Sequence, residues 1–160
     1  MEIRVQGNAG IALDALPQTA QAKLMAGVLQ VQFLLERETK ETAPRASGMF
    51  GQSISSQPME IVNGVIVGAV GSSLAYAVPL EEGSKPHMPP VQPLIPWVKV
   101  RFGVKPAEAV SIAWRIARKI AKKGTPAAKV FAKALAKHAG QVERILNQAL
   151  ADALAEVARK

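Results

Sequence analysis

Five prolines fall between residues 86 and 96: Pro86, Pro89, Pro90, Pro93 and Pro96. Each ring fixes φ near about −65° and removes a backbone donor, which bars the run from a helix interior and from a central strand. A flexible linker would satisfy that restriction, but Met88, Val91, Leu94, Ile95 and Trp97 are interspersed, and linkers rarely carry so many apolar anchors. The expectation is an ordered proline-rich loop over 83–96, with Leu94, Trp97 and Val98 packing back as a short helix. Everything else must be arranged on either side of it.

Before the loop the chain changes period. From about residue 16 to 42, Leu24, Val28, Val31, Leu35 and Glu38 recur at three-to-four spacing, the mark of an amphipathic helix. Pro17 suits its first turn, and Pro44 closes it, since the residue before a proline is pushed out of helical geometry. Glu36, Arg37, Glu38, Lys40 and Glu41 are expected to form a solvated charged end. The β-hairpin region is 52–80. Gln52–Ser56, Met59–Val62 and Val65–Val70 are expected strands, and Asn63-Gly64 is a strong hairpin signal because both residues tolerate positive φ. Gly71-Ser72-Ser73 turns the chain into a last extended segment, Leu74–Leu80, with Pro79 at an edge. At the N-terminus, Ile3 and Val5 alternate like a short strand before an Asn8–Gly10 turn.

C-terminal helices are expected over 106–158. Pro106 and Glu108 suit a first turn. Ala109, Ile112, Ala113, Ile116, Ala117 and Ile120 form one face, and Arg115, Arg118, Lys119, Lys122 and Lys123 lie opposite. Gly124 stops this helix, and Thr125-Pro126 has the form of an N-cap and first residue of the next. That helix places Phe131, Ala134, Leu135 and His138 on one face and passes through Gly140 to Val157. The fold class is α+β: a small antiparallel sheet packed with a long N-terminal helix, plus C-terminal helices, in a single domain of residues 1–160.

Composition narrows the chemistry. Aromatics are only 4% of the 160 residues, so the core must be built from Ala, Val, Ile and Leu. With no cysteine, thiolate metal sites and disulfides are excluded. Two histidines far apart make a histidine metal site improbable, and no cofactor is expected. The N-terminus lacks the basic-then-apolar form of a signal peptide, and Asn63, Ser72, Ser73, Pro79 and several glycines interrupt the apolar run 61–80. A soluble protein made in a cytosol is expected. The net charge of +8 and pI near 10.1 permit an anionic partner without identifying one.

No catalytic constellation emerges. Glu81 and Glu82, read as part of an extended segment, would point to opposite faces and could not converge as an acid/base pair. His87 has no nucleophile or carboxylate at useful spacing, so a small hydrolase built on Glu81, Glu82 and His87 is disfavoured. The glycines Gly64, Gly68 and Gly71 lack the spacing of a phosphate loop. His138 suits a packing role. Trp97 and Trp114 are equally suited to core packing and to anchoring an interface. Arg115–Lys123 could contact phosphates but has no sequence-reading signature. A basic protein binding DNA non-specifically through this segment is the alternative reading.

The central stretch resembles the head–tail joining, neck or tail-completion proteins of long-tailed phages, including the minor tail protein Z group. The features that carry the resemblance run in order from Ala43-Pro44 through Ser47-Gly48-Met49, Ser53-Ile54, Val70-Gly71, Tyr76-Ala77 and Glu81-Glu82-Gly83-Ser84. Pro86-His87-Met88-Pro89-Pro90, Leu94-Ile95-Pro96-Trp97-Val98 and Gly124-Thr125-Pro126 follow. The likeness covers roughly 28–136, with Ser47 and Ser84 where Thr is commoner and 106–123 as an added helix. It implies a virion structural protein and not an enzyme. Such a protein forms a homo-oligomeric ring, commonly sixfold, between the head connector and the tail terminator or tail tube. DNA passes through its channel unread. The implied location is the virion neck, reached from the host cytoplasm during assembly. Tyr76, Glu81, Glu82, His87, Trp97, Arg115, Arg118 and Lys119 are the expected contact residues.

Overall fold

Asn63 and Gly64 take φ values of 51° and 73°, the pair of left-handed conformations that a two-residue hairpin turn requires. They join β2 (Glu60–Val62) to β3 (Val65–Val67), with Val62 opposite Val65 and Ile61 opposite Ile66. The structure, a computed structural model, describes residues 16–44 and 48–159. The expected strand at Ile3–Val5, the Asn8–Gly10 turn and Arg45–Ser47 lie outside the described residues. The fold is α+β, with a long N-terminal helix α1 (Gln18–Thr42), short antiparallel strands and C-terminal helices. The described residues fall into two compact units.

The described residues of the first unit are 16–42, 54–72 and 131–159. Its sheet content is two separate two-stranded ribbons. β1 (Ile54–Ser56) pairs antiparallel with β4 (Val70–Ser72), and β2 pairs with β3. The expected strand 65–70 is thus interrupted at Gly68-Ala69, for a reason that lies in α1. A Cβ on Gly68 would sit 2.6 Å from Val28 Cγ1 and 2.9 Å from Gln32 Cδ. The Gln32 amide, itself buried, donates to Gln57 O and Ala69 O, both at 2.9 Å. The strand therefore changes partner where the helix presses closest. Val28 and Ile66 form a buried nucleus with Leu24, Met25, Met59 and Leu146 packed on it. A small apolar cavity of about 10 Å³ remains beside Val28, Gln32 and Leu146.

Helix α6 (Val130–Ala158) runs without a break through Gly140, which has nothing within 4 Å of its Cβ position. It packs on α1 closely enough that a Cβ on Gly27 would collide with that of Ala149. The charged end of α1, expected from its composition to be solvated, is only partly so. Glu38 and Thr39 are buried. Glu38 faces α6, and the Thr39 hydroxyl donates to Leu35 O at 2.6 Å within its own helix.

The described residues of the second unit are 43–44, 48–53 and 73–130. Two segments expected as strands are helical in part. α2 (Met49–Ser53) takes the first two residues of the expected strand 52–56, whose last three form β1, because the Ser53 hydroxyl turns back to Phe50 O at 2.7 Å and Gln52 N reaches Gly48 O. α3 (Ala77–Glu82) replaces the end of the expected segment 74–80. Pro79 does not oppose it, since it lies in the first turn, where backbone N–H groups have no intrahelical partner. α4 (Leu94–Phe102) ends at Gly103, which has φ 64° and donates to Lys99 O at 2.9 Å. α5 (Pro106–Lys123) begins and ends as its sequence foretells, with Glu108 in its first turn and Gly124 as its C-cap. Val98, Ala109 and Ala113 form the buried contact between α4 and α5. Small residues here let the two helices approach closely.

Thr125 does not cap the last helix. It forms an isolated antiparallel bridge with Ser84: Ser84 N donates to Thr125 O at 3.0 Å and Thr125 N donates to Ser84 O at 3.2 Å. Their hydroxyls meet at 2.8 Å. With the capping oxygen committed to Ser84, residues 126–129 stay non-helical and α6 starts only at Val130.

Candidate partner-contact surface

All eight expected contact residues belong to the second unit. Tyr76 immediately precedes α3, 43% exposed, its ring tilted against the buried Phe50 with centroids 6.2 Å apart. Packing one face on Phe50 fixes the ring and leaves the other to solvent.

Glu81 and Glu82 are helical, not extended, and their environments differ. Glu81 is buried, while Glu82 is exposed. The backbone carbonyls of Leu80 and Glu81 accept from Ala128 N at 2.8 Å and Lys129 N at 3.2 Å. These bonds satisfy part of the open C-terminal end of α3. Glu81 thus sits inside the turn and Glu82 on its surface.

His87 is exposed. Its Nδ1 lies 2.9 Å from Lys85 O and 3.4 Å from Ser84 Oγ. A carbonyl can only accept, so Nδ1 carries the proton and donates to Lys85. It is therefore unable to accept a proton from Ser84, and this geometry gives the Ser84 hydroxyl no base.

Trp97 stands edge-on to Phe102, with centroids 6.0 Å apart and planes at 81°, a favoured aromatic arrangement. Neither tryptophan packs in the core. Trp97 is 37% exposed and Trp114 48%. α4 and α5 meet through residues as small as alanine, which leaves no recess for an indole. Phe102 escaped the sequence reading. Its place immediately before the helix-ending Gly103 was the available signal, because side chains in a last turn have few neighbours.

Arg115, Arg118 and Lys119 lie on the exposed side of α5 with Lys122. Arg118 Nε donates to Trp114 O at 3.4 Å. None of these four cations has a carboxylate partner among the described residues. The structure thus gathers the expected residues into three groups: Tyr76 with α3, the Ser84–His87 turn, and the exposed parts of α4 and α5. Among the described residues no three His, Asp or Glu side chains cluster as a metal site would require, and no helix is long and apolar enough to cross a membrane.

The sequence reading also passed over the ion pairs of the first unit. Glu38 Oε1 accepts from Lys137 Nζ at 2.6 Å, and Glu38 Oε2 pairs with His138 Nε2 at 2.7 Å. His138 Nδ1 lies 3.2 Å from Gln141 Oε1. His138 is thus a packing residue with a polar duty. Comparison with family models, curated proteins and solved structures finds no match.

Proposed function

We propose that the chain is a virion structural protein that joins the head and tail of a phage, acting as the subunit of a ring. The observation that carries this reading is the placement of its aromatic side chains. The sequence has seven, and five of them, Phe33, Tyr76, Trp97, Phe102 and Trp114, are exposed; only Phe50 and Phe131 are buried. An aromatic side chain buries about 150–250 Å² when covered. A chain this poor in aromatics that leaves most of them in water has its largest contact groups available to a partner. The ordered run of features from Ala43-Pro44 to Gly124-Thr125-Pro126 supports the same reading. A ring demands two different surfaces per subunit, one meeting the other on the next copy, and assembly requires no reacting groups.

The test is a nonsense mutation in the phage or prophage that encodes the chain. The expected product is DNA-filled heads and separate tails, with joined particles restored when the protein is supplied in trans. Infectious, joined virions lacking the protein would overturn the reading.

A further inference from the structure

The charge of this protein is segregated along its sequence. Residues 83–130 hold ten Lys and Arg against one acidic residue, Glu108, whereas the rest of the chain holds ten against eleven. The whole excess of positive charge therefore belongs to the second unit. We infer that α5 presents a face that binds the phosphates of double-stranded DNA without reading sequence. This inference stands on charge placement and is independent of the assembly reading.

Arg115, Arg118, Lys119 and Lys122 follow i, i+3, i+4, i+7 spacing, so they share one side of a single rigid helix. All four are exposed, and none is neutralised by a carboxylate among the described residues. They span about 10 Å of helix axis. Over that length a duplex presents roughly six phosphates, at one charge per about 1.7 Å. A straight row of fixed cations suits a stiff, regular polyanion. The alternatives fit less well. Insertion into an anionic membrane would need the apolar face of α5, but Ala109 and Ala113 are fully buried against Val98. Single-strand binding uses a series of aromatic platforms along the basic track, and α5 has one, Trp114. Base readout needs side chains inserted into a groove, whereas this row lies along the exposed side of a helix whose apolar face is packed against α4.

The experiment measures binding of a mixed-sequence 30-base-pair duplex by fluorescence anisotropy as salt is varied. Four phosphate contacts predict a log–log slope of about −3 to −4, roughly tenfold weaker binding for each doubling of salt. A variant carrying R115Q, R118Q, K119Q and K122Q should lose at least about thirtyfold in affinity and flatten the slope. Glutamine preserves helix propensity, and circular dichroism checks the fold. A second variant, K23Q, K133Q, R144Q and K160Q, removes the same charge elsewhere in the chain and should bind within a few-fold of the parent. A duplex of scrambled sequence should bind equally well. Each of four results would overturn the inference: no duplex binding at low salt, equal loss in both variants, tighter binding to the single strand, or tighter binding to phosphatidylserine vesicles or polyglutamate. A duplex-binding defect with normal head–tail joining, or the reverse, separates this inference from the assembly reading.

Discussion

Glu38 and His138 stand one hundred residues apart in sequence, yet Glu38 Oε2 and His138 Nε2 are 2.7 Å apart, and Lys137 holds the other carboxylate oxygen. The carboxylate is almost out of solvent and receives a partner on each oxygen. The hydrogen bond from Lys137, then that from His138, holds its pKa below the ordinary value of 4.5 against the opposing effect of burial. A depressed folded-state pKa means that protonation favours the unfolded chain. The stabilisation is complete above the ordinary carboxylate value and is lost as pH falls through the depressed one. Urea midpoints measured from pH 7 to pH 3 should fall at the acid end, and Glu38→Gln should flatten that fall. An unchanged acid limb in Glu38→Gln would refute the assignment.

Gly27 faces Ala149 with no room for a methyl group. Gly27→Ala should destabilise the protein by about 1–3 kcal/mol through overpacking, despite alanine's better helix propensity. Adding Ala149→Gly should recover part of the loss. A double-mutant cycle in urea measures the coupling, and simple additivity would show that the two helices move apart freely.

Gln32 holds Gln57 and Ala69 with one amide while its own Oε1 is buried without a partner among the described residues. Gln32→Met keeps the volume and removes both bonds. The lost bonds outweigh relief of the unpaired oxygen, so a net cost of about 1 kcal/mol is expected. Hydrogen exchange should quicken at Gln57 N, whose acceptor Ala69 O would lose its second support. Unchanged exchange and stability would mean that the ribbon holds itself.

The hydroxyls of Ser84 and Thr125 meet at 2.8 Å across the bridge. Ser84→Ala and Thr125→Val should each cost about 0.5–1.5 kcal/mol, and the double variant less than their sum. Independent effects in a thermal-unfolding cycle would contradict the contact.

Tyr76→Ala and Trp97→Ala remove aromatic surface that is already partly in water. Under the assembly reading, each should leave a soluble, folded subunit that fails to join heads to tails, scored by particle counts in complementation. Full complementation by both variants would remove these residues from the interface.

The legible parts of the sequence were those governed by local backbone chemistry. Asn63-Gly64 could form little other than a tight hairpin turn, and Pro106 and Gly124 bound α5 as capping rules require. Local reasoning failed where distant groups competed. Thr125 looked like a cap until Ser84, forty-one residues earlier, took its hydroxyl. Leu74–Leu80 looked extended with Pro79 at an edge, whereas a first helical turn accepts a proline equally well. Glu38 looked solvated because its partners lie on another helix. The basic row on α5 was visible from spacing alone. The exposure of Trp97 and Trp114 was not, because periodicity tells which side of a helix a residue occupies but not what lies beside it.

Because Ser84 and Thr125 clasp one another, the segment between them joins the rest of the second unit at nearly one point. Those forty residues form a pendant that contains α4 and α5 and their shared core, and closing a longer or shorter loop within it changes the entropy only slowly. A cassette carrying a fluorophore or an affinity handle, inserted in a loop of this pendant outside the α4–α5 contact, should therefore leave the Ser84–Thr125 bridge in place, and a short graft from Ser84 to Thr125 would report how well the remainder stands by itself.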